Sequence, residues 1–250
     1  MIPKSDIRDI LLAHGGTKPT LGLFPGTAVW SSYHARIGFE TEVHDWKDGA
    51  LPEFDMTSPE YVDGRLCPAI ERKQYSAIQI ATECTTFSTM TGCTYRTKAE
   101  PEGADECLQS GLPKADKCLS ANVYAANSVK VFLKGDEAGA ICTLDNPLGS
   151  RLFALETTQP LIKRINDGSL WLVTTSYCSF GTRFRGTRLI IVNRPWLQKL
   201  SKPCKHGPGG HDTILAAHRT PCKEANQYPA GLCRLWAQLT AEIVVAETQQ

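Results

Sequence analysis

A thiol that directly follows a short apolar run is the first feature of this chain that points to chemistry. Residues 77–81 have the apolar character of a β-strand, and Cys84 follows them among threonine and serine side chains. Open α/β sheets bind their ligands beyond the carboxyl ends of their strands, where a thiol can act as a nucleophile. A single cysteine at such a place is also a common apolar core residue, so Cys84 alone does not decide between the two interpretations.

Polar residues also stand where other predicted strands end. Gly26 lies in the turn after a predicted strand over residues 20–24, and Asp45 ends the next predicted strand. A glycine turn before a helix, with an acidic residue roughly 20 positions later, favours a nucleotide-like ligand. Asp145 ends a third predicted strand, over residues 140–144. The full glycine-rich fingerprint is missing, so an ordinary α/β scaffold remains the alternative.

The segment from residue 204 to residue 222 concentrates side chains that bind metal ions. Cys204, His206, His211 and Cys222 are candidate zinc ligands, because thiolates and imidazoles are the usual ligands of zinc. Their spacing lacks the closely spaced ligand pairs of common zinc modules. The spacing therefore favours a proline- and glycine-rich loop without a metal, and zinc remains the alternative.

A net charge of +1 conceals a basic segment near the end of the chain. Between Arg183 and Lys223 there are nine lysine and arginine residues and one acidic residue, Asp212. A basic segment beside an acidic body is typical of a surface that faces a polyanion such as nucleic acid. A solvated loop with incidental lysines would have the same composition, and both interpretations stay open.

The elements that must position these residues alternate between strand and helix. The clearest helical pattern runs from residue 115 to residue 134. One continuous helix is predicted over 152–165 despite Pro160, and a closing helix is predicted from 226 to 246. Such alternation predicts an α/β fold with one open, mostly parallel sheet and helices on both faces. We expect residues 1–194 to form the main domain, 195–225 a basic loop region, and 226–250 the closing helix of the same domain.

Several classes of protein are disfavoured by the composition. No apolar run is long enough to span a membrane, and the first residues do not have the pattern of a secretory signal. The ten cysteines are scattered and form no closely spaced pair, which favours reduced thiols inside a cell. We therefore expect an intracellular protein, in the nucleus or the cytoplasm, that is not secreted and not bound to a membrane.

Taken in order, the short motifs of the chain resemble those of the DNA cytosine-5 methyltransferase family. The resemblance is closer to its compact members in phages and mobile elements, and it extends from about Leu21 to Trp236. The pieces that carry it are Phe24-Pro-Gly26-Thr27, Asp45-Trp46, Asp55, Cys84-Thr-Thr-Phe-Ser88, Asn122, Asp145-Asn146-Pro147, Cys178-Ser-Phe-Gly181, Arg183-Phe-Arg185 and Tyr228-Pro229. Each piece is short, but their joint order is much more specific than any one of them.

The resemblance implies a Rossmann-like methyltransferase domain and a set of catalytic roles. Cys84 would add to C6 of a cytosine that has been flipped out of duplex DNA. Asp145 would hold the N3/N4 edge of the base, and Arg183 and Arg185 would lie near the sugar-phosphate or the cysteine. Residues 195–225 would be a reduced target-recognition insert. DNA is then the expected partner, with RNA as an alternative.

The resemblance also implies that S-adenosyl-L-methionine is the cofactor. Phe24 would pack on the adenine, and Gly26 and Thr27 would face the methionine part. The ribose would be bound by Asp45, with Trp46 beside it. Asp55 would bind the adenine amine.

Three features depart from the pattern of the family. Glu83 stands where a proline usually precedes the nucleophile, and Asp145 stands where a glutamate is usual. The first strand has Gly22 where an acidic residue is common, and the glycine-rich turn after it is reduced to Gly26-Thr27-Ala28. A carboxylate beside the thiol opposes its ionisation. The alternative function is therefore a catalytically inactive nucleic-acid-binding protein that keeps the methyltransferase fold.

Overall fold

A six-stranded sheet lies at the centre of the fold. The computed structural model describes residues 11, 18–24, 26–45, 52–88, 95–109, 113–207, 210–212 and 227–249. Its strands are β1 (Thr20–Leu23), β2 (Thr41–His44), β3 (Ala77–Ile80), β4 (Ile141–Pro147), β5 (Trp171–Ser176) and β6 (Thr187–Val192). They lie in the order β2-β1-β3-β4-β6-β5, and β6 is antiparallel to both of its neighbours. The other pairings are parallel, which confirms the predicted mostly parallel open sheet.

Helices cover both faces of this sheet. They are α1 (Val29–Arg36), α2 (Pro59–Tyr61), α3 (Cys67–Glu71), α4 (Asp105–Leu108), α5 (Pro113–Glu137), α6 (Gln159–Asn166) and α7 (Ala230–Thr248). A π-helical turn, Val62–Leu66, joins α2 to α3. Short 3-10 helices span Pro52–Phe54, Arg151–Ala154, Glu156–Thr158, Tyr177–Phe180 and Pro195–Leu200. None of the helices in the described ranges is both long and apolar enough to cross a membrane.

Alternating side chains along the strands build two separate cores. Ile78 and Leu144 point to the core that contains α5, whereas Ile190 points to the core that contains α1 and α7. In the second core Trp30 of α1 meets Trp236 of α7 edge to face, with ring centroids 6.4 Å apart. Burying an apolar side chain of this size stabilises the fold by about 1.5–3 kcal/mol. Both sheet faces are therefore closed to water, as a mostly parallel sheet requires.

The order of the strands has a switch point between β1 and β3. The chain runs from β1 to β2 on one side of β1 and then returns to β3 on the other side. Ligands of open α/β sheets bind at such a switch point, beyond the carboxyl ends of the strands. The turn after β1 and the loop after β3 both emerge there, so the fold brings the residues around Phe24 and Cys84 to the same edge.

The helix predicted over residues 152–165 is interrupted in the structure. Two 3-10 turns precede α6, and Pro160 lies in the first turn of α6. Proline has no N–H to donate and fits the first turn of a helix, where no intrahelical partner is needed. The helix therefore begins at Gln159.

Candidate active site

Cys84 lies in the loop that leaves the carboxyl end of β3. Its carbonyl accepts hydrogen bonds from the backbone N–H groups of Phe87, at 3.1 Å, and Ser88, at 2.8 Å. These bonds close a tight turn that begins at the cysteine. The residue as a whole is half-buried.

Asp145 lies within β4, and its carboxylate is buried on the sheet face that carries α7. Only 2% of the residue is exposed. Oδ1 accepts hydrogen bonds from Gln79 Nε2, at 3.3 Å, and from the Tyr228 hydroxyl. Oδ2 lies 3.9 Å from Nη1 of Arg188. Two neutral donors and one cation therefore hold this carboxylate in place.

Arg188, on β6, connects the carboxylate to the thiol. Its guanidinium donates a hydrogen bond to the sulfur of Cys84, and its Nε donates to the Tyr177 hydroxyl at 2.9 Å. The residue is 9% exposed. Cys84, Asp145 and Arg188 thus lie together where the chain leaves β3, and we call these three residues the thiol site.

Burial and charge act in opposite directions on the thiol site. Burial raises the pKa of Cys84, the cation of Arg188 opposes this rise, and the carboxylates of Asp145 and Glu83 reinforce it. Burial also raises the pKa of Asp145, against the effects of Arg188, Tyr228 and Gln79. The cysteine is therefore a thiol at neutral pH, and Arg188 is the group that lowers the free energy of forming its thiolate.

Asn146 fixes the loop of Cys84 to the end of β4. Its Nδ2 donates to the carbonyl of Thr82 at 2.7 Å, and its Oδ1 accepts from the Ser150 hydroxyl at 2.7 Å. On the other side, Thr82 Oγ1 donates to the hydroxyl of Ser128 on α5 at 2.8 Å. All of these groups are buried, so Asn146 is a positioning residue for the loop and not merely part of a surface turn.

The arginines predicted from the sequence lie outside this cluster. Arg183 is exposed, and its Nη1 lies 3.3 Å from Oδ2 of Asp212. Arg185 is exposed, and its carbonyl accepts the N–H of Tyr177 at 2.9 Å. Arg188 contacts Asp145 instead. The signal that could have found it is a charged residue inside an otherwise apolar strand, because an arginine is rarely buried without a partner.

Of the three polar residues around the carboxylate, sequence reasoning missed Gln79 and Tyr177 and named Tyr228 only as part of a motif. Gln79 interrupts the apolar run of β3, and Tyr177 and Tyr228 approach each other with ring centroids 6.2 Å apart. Gln79 Nε2 also donates to the Tyr228 hydroxyl at 2.9 Å. A glutamine within a buried strand needs a polar partner, and this was the available signal.

The turn after β1 has the strained backbone that a close ligand approach requires. Phe24 and Gly26 both have positive φ, 55° and 57°. The N–H of Gly26 donates to Asp45 Oδ2 at 3.2 Å, so the turn and the end of β2 are tied together. The Phe24 ring meets Tyr124 of α5 edge to face, with centroids 5.5 Å apart. Thr27 is exposed, and Trp46 lies outside the described residues.

Asp55 lies in a loop near Tyr124 and forms a tight turn with Thr57. Its Oδ1 accepts the N–H of Thr57 at 2.8 Å and the Thr57 hydroxyl at 2.9 Å. Burial raises the pKa of Tyr124, and the charges of Asp55 and Glu83 raise it further. Tyr124 therefore lies between the loop of Asp55, the turn at Phe24 and the loop of Cys84.

Comparison with known proteins places little constraint on the activity. Neither a protein-family model nor a curated protein sequence matches this chain. Among solved structures the chain is similar to the Entamoeba histolytica methyltransferase EhMeth, with 10% sequence identity and a TM-score of 0.41 over 80% of this chain and 58% of that one. The chain thus spans less than two thirds of that protein. Because the likeness is so distant, the geometry of the site has to support any assignment.

Three of the four zinc candidates belong to a second cluster of side chains. Cys204, His206 and His211 come together in the structure, and the residue that joins them is Cys178. Cys222 lies outside the described residues. Cys178 belongs to the 3-10 helix after β5, and no sequence pattern links it to the later loop.

Proposed function

We propose that this chain is an S-adenosyl-L-methionine-dependent methyltransferase of the DNA cytosine-C5 type. The observation that carries the proposal is the convergence of the half-buried Cys84, a buried carboxyl and a buried arginine where the chain leaves β3. A nucleophile, an acid and a cation are the groups that addition to C6 of a cytosine requires.

In this proposal Cys84 supplies the attacking sulfur. Arg188 stabilises the thiolate through its hydrogen bond and its charge while the sulfur adds to C6 of the base. Burial raises the pKa of Asp145, so less free energy is needed to protonate it when the base binds, and the protonated carboxyl can donate a hydrogen bond to N3 as electrons move towards C5. Gln79 and Tyr228 keep the carboxyl oriented during this step.

The turn after β1 fits one end of the cofactor. No described atom other than those of its chain neighbours lies within 4 Å of the position that a Cβ on Gly26 would occupy. Helix α1 follows the turn, and Ala28, its N-cap, provides no side-chain hydrogen bond to the helix. Helix N–H groups can then receive the methionine carboxylate. The bound cofactor would supply the methyl group for C5 and would leave as S-adenosylhomocysteine. Loss of the C5 proton to solvent and elimination of the Cys84 sulfur from C6 then release the methylated base.

The adenosyl part would lie along the neighbouring loops. Phe24 offers a partly exposed ring for the adenine, and Asp45 and Asp55 offer carboxylates for the ribose and the adenine amine. Thr27 would face the methionine part, and Trp46 is assigned to this site by resemblance alone.

Duplex DNA is the substrate in this proposal. Arg183, Arg185, Lys202 and Lys205 are exposed near the end of the sheet that carries the basic loop, where they can meet phosphates. The target base has to be flipped out of the duplex to reach a thiol at a strand end. RNA is tested as a competing substrate.

Tritium transfer from labelled S-adenosylmethionine to unmethylated DNA tests the proposal directly. We expect transfer with the wild type and none with Cys84→Ser, because the hydroxyl is a far weaker nucleophile at neutral pH. Binding of S-adenosylhomocysteine, measured by calorimetry, should be unchanged in Cys84→Ser. Transfer that persists in this variant would exclude the covalent mechanism, and labelling of RNA but not of DNA would reassign the substrate.

A second candidate function is favoured by Glu83. Its carboxylate accepts the Thr85 hydroxyl at 2.8 Å and raises the pKa of the neighbouring Cys84, which opposes catalysis. The chain would then be an inactive nucleic-acid-binding protein with this fold. DNA binding that weakens steeply with salt, together with no affinity for S-adenosylhomocysteine, would favour this function over the enzyme.

A further inference from the structure

We propose that Cys178, Cys204, His206 and His211 form a structural zinc site. Each residue offers one ligand atom, and the four ligand atoms all lie within 4.8 Å of one another. We call these four residues the metal cluster. This inference does not depend on the proposed methyltransferase activity.

The spacing of the ligand atoms matches a tetrahedral zinc ion. With Zn–S bonds of about 2.3 Å and Zn–N bonds of about 2.05 Å, a tetrahedron places sulfur and nitrogen about 3.6 Å apart. Cys204 Sγ lies 3.7 Å from His206 Nδ1 and 3.3 Å from His211 Nε2. Cys178 and Cys204 are within hydrogen-bonding distance of each other through their side chains. One ion can therefore contact all four atoms with only small movements.

The fold brings the two cysteines together through contacts that do not involve a metal. Cys178 lies in the 3-10 helix that follows β5. The N–H of Ser176 donates to the carbonyl of Lys202 at 2.9 Å, and Ser179 Oγ donates to the carbonyl of Pro203 at 2.9 Å. These two bonds hold the segment before Cys204 against the end of β5, so the two thiols are positioned in advance.

The histidines complete the cluster from the loop that follows Cys204. Their rings meet edge to face, with centroids 4.9 Å apart, and His206 is exposed while His211 is half-buried. Next to His211, the N–H of Asp212 donates to the carbonyl of Arg183 at 3.1 Å. The loop is thus fixed on both sides of the two histidines, which lowers the entropy cost of closing it around an ion.

The set of ligands selects zinc among the common divalent ions. Two sulfur and two nitrogen ligands in tetrahedral geometry are typical of zinc, whereas magnesium and calcium prefer oxygen. Four protein ligands leave no open position for water, and this is typical of a structural site and not of a catalytic one. The ion would therefore stabilise the loop that carries Lys202 and Lys205, which are both exposed.

Metal content of the full chain, purified without added metal under reducing conditions, tests the proposal. We expect about one zinc per chain by mass spectrometry of the elements, and release of that zinc when the thiols are blocked with a mercurial. Cobalt substitution should give the intense visible bands of a tetrahedral site and the near-ultraviolet charge-transfer bands of two thiolates. His206→Ala should reduce the metal content to near zero, and this variant should fold because His206 is exposed.

Two matched variants make the result specific. Cys84→Ser removes a half-buried cysteine outside the metal cluster, and Lys205→Ala removes an exposed neighbour that has no ligand atom. Both should keep their zinc. The proposal is overturned if reduced wild-type protein binds no zinc, if Cys204→Ser keeps its full metal content, or if the cobalt spectrum shows octahedral coordination. Isolation of a stable Cys178–Cys204 disulfide as the native form would overturn it as well.

Discussion

Replacing Arg188 with methionine tests the electrostatics of the thiol site. Methionine keeps most of the apolar stem of arginine, so the substitution removes the charge and its hydrogen bonds with little loss of packing. Asp145, with 2% of its surface exposed, would then keep a buried charge without its cation. Breaking a buried ion pair in this way costs about 3–5 kcal/mol.

The distances around Asp145 indicate that the loss in the free energy of unfolding should lie at the low end of that range. Nη1 of Arg188 lies 3.9 Å from Oδ2 of Asp145, which is long for an ion pair, and Tyr228 and Gln79 still bond the other oxygen. We expect Arg188→Met to lower the free energy of unfolding by about 3 kcal/mol at pH 7.5. Arg185→Met is the control, because Arg185 is exposed, and it should change stability by less than about 0.5 kcal/mol.

The loss should depend on pH in a defined direction. Burial raises the pKa of Asp145 in the folded state. A carboxyl with a raised pKa stabilises the fold below its unfolded pKa of about 3.9, and this stabilisation is lost as the pH rises through the folded value. Without Arg188 the folded pKa rises further. Near pH 4.5 the variant should therefore lose only about 1 kcal/mol, the value of the hydrogen bonds to neutral partners.

Urea unfolding of the wild type and the variants at pH 7.5 and 4.5 measures these differences. Adding Asp145→Asn to Arg188→Met should recover part of the stability at pH 7.5, because it removes the unpaired charge. An equal loss at both pH values, or no recovery in the double variant, would refute this account of the site.

Two further predictions concern Gly186, which lies against Tyr177, and His34, which is buried between α1 and α7. In Gly186→Ala the new Cβ would lie 2.6 Å from Tyr177 Cδ2, and φ is +43°, so we expect a loss of about 2–4 kcal/mol in urea unfolding. Gly181→Ala, with positive φ but nothing within 4 Å, should lose only about 1 kcal/mol, and equal losses would contradict the contact with Tyr177. Burial lowers the pKa of His34 to about 3, so its contribution to stability is lost as the pH falls below the unfolded value of about 6.5. His34→Gln should therefore flatten the wild-type decline between pH 6 and 4, which has a slope of up to about 1.4 kcal/mol per pH unit, and parallel curves would contradict this.

The sequence was sufficient where local patterns decide the structure. The period of apolar residues located α5 and the strands, and the polar residues after β3 and within β4 predicted a candidate site where the chain leaves β3. Arg188 could not be chosen over Arg183 or Arg185 in this way. Its approach to Asp145 depends on the antiparallel register of β4 with β6, in which Asp145 pairs with Ile190. Register between strands far apart in sequence is set by the packed sheet and not by either segment alone.

Cys178 escaped sequence reasoning for a similar reason. The local spacing of Cys204, His206 and His211 supplies only three ligands, and the fourth comes from a turn on the other side of β6. What joins the turn to the loop is the backbone contact between Ser176 and Lys202, which leaves no trace in either sequence pattern. Sequence spacing alone therefore favoured Cys222 as the fourth ligand, because Cys222 is closer in the chain to His211.

One 3-10 helix, Tyr177–Phe180, contributes a residue to each of the two clusters. The metal cluster depends on this helix more than the thiol site depends on the metal cluster. Tyr177 accepts a hydrogen bond from Arg188 in the thiol site, and the next residue, Cys178, belongs to the metal cluster. Tyr177 is also held by contacts outside both clusters, because its N–H donates to the carbonyl of Arg185 and its ring belongs to the same core as Trp236. The metal loop depends on this helix for one of its four ligands, whereas the helix depends on the loop mainly through Ser179 and Lys202. Loss of the thiol-site arginine should thus leave the metal cluster intact, and loss of the metal should release the basic loop before it disturbs Arg188.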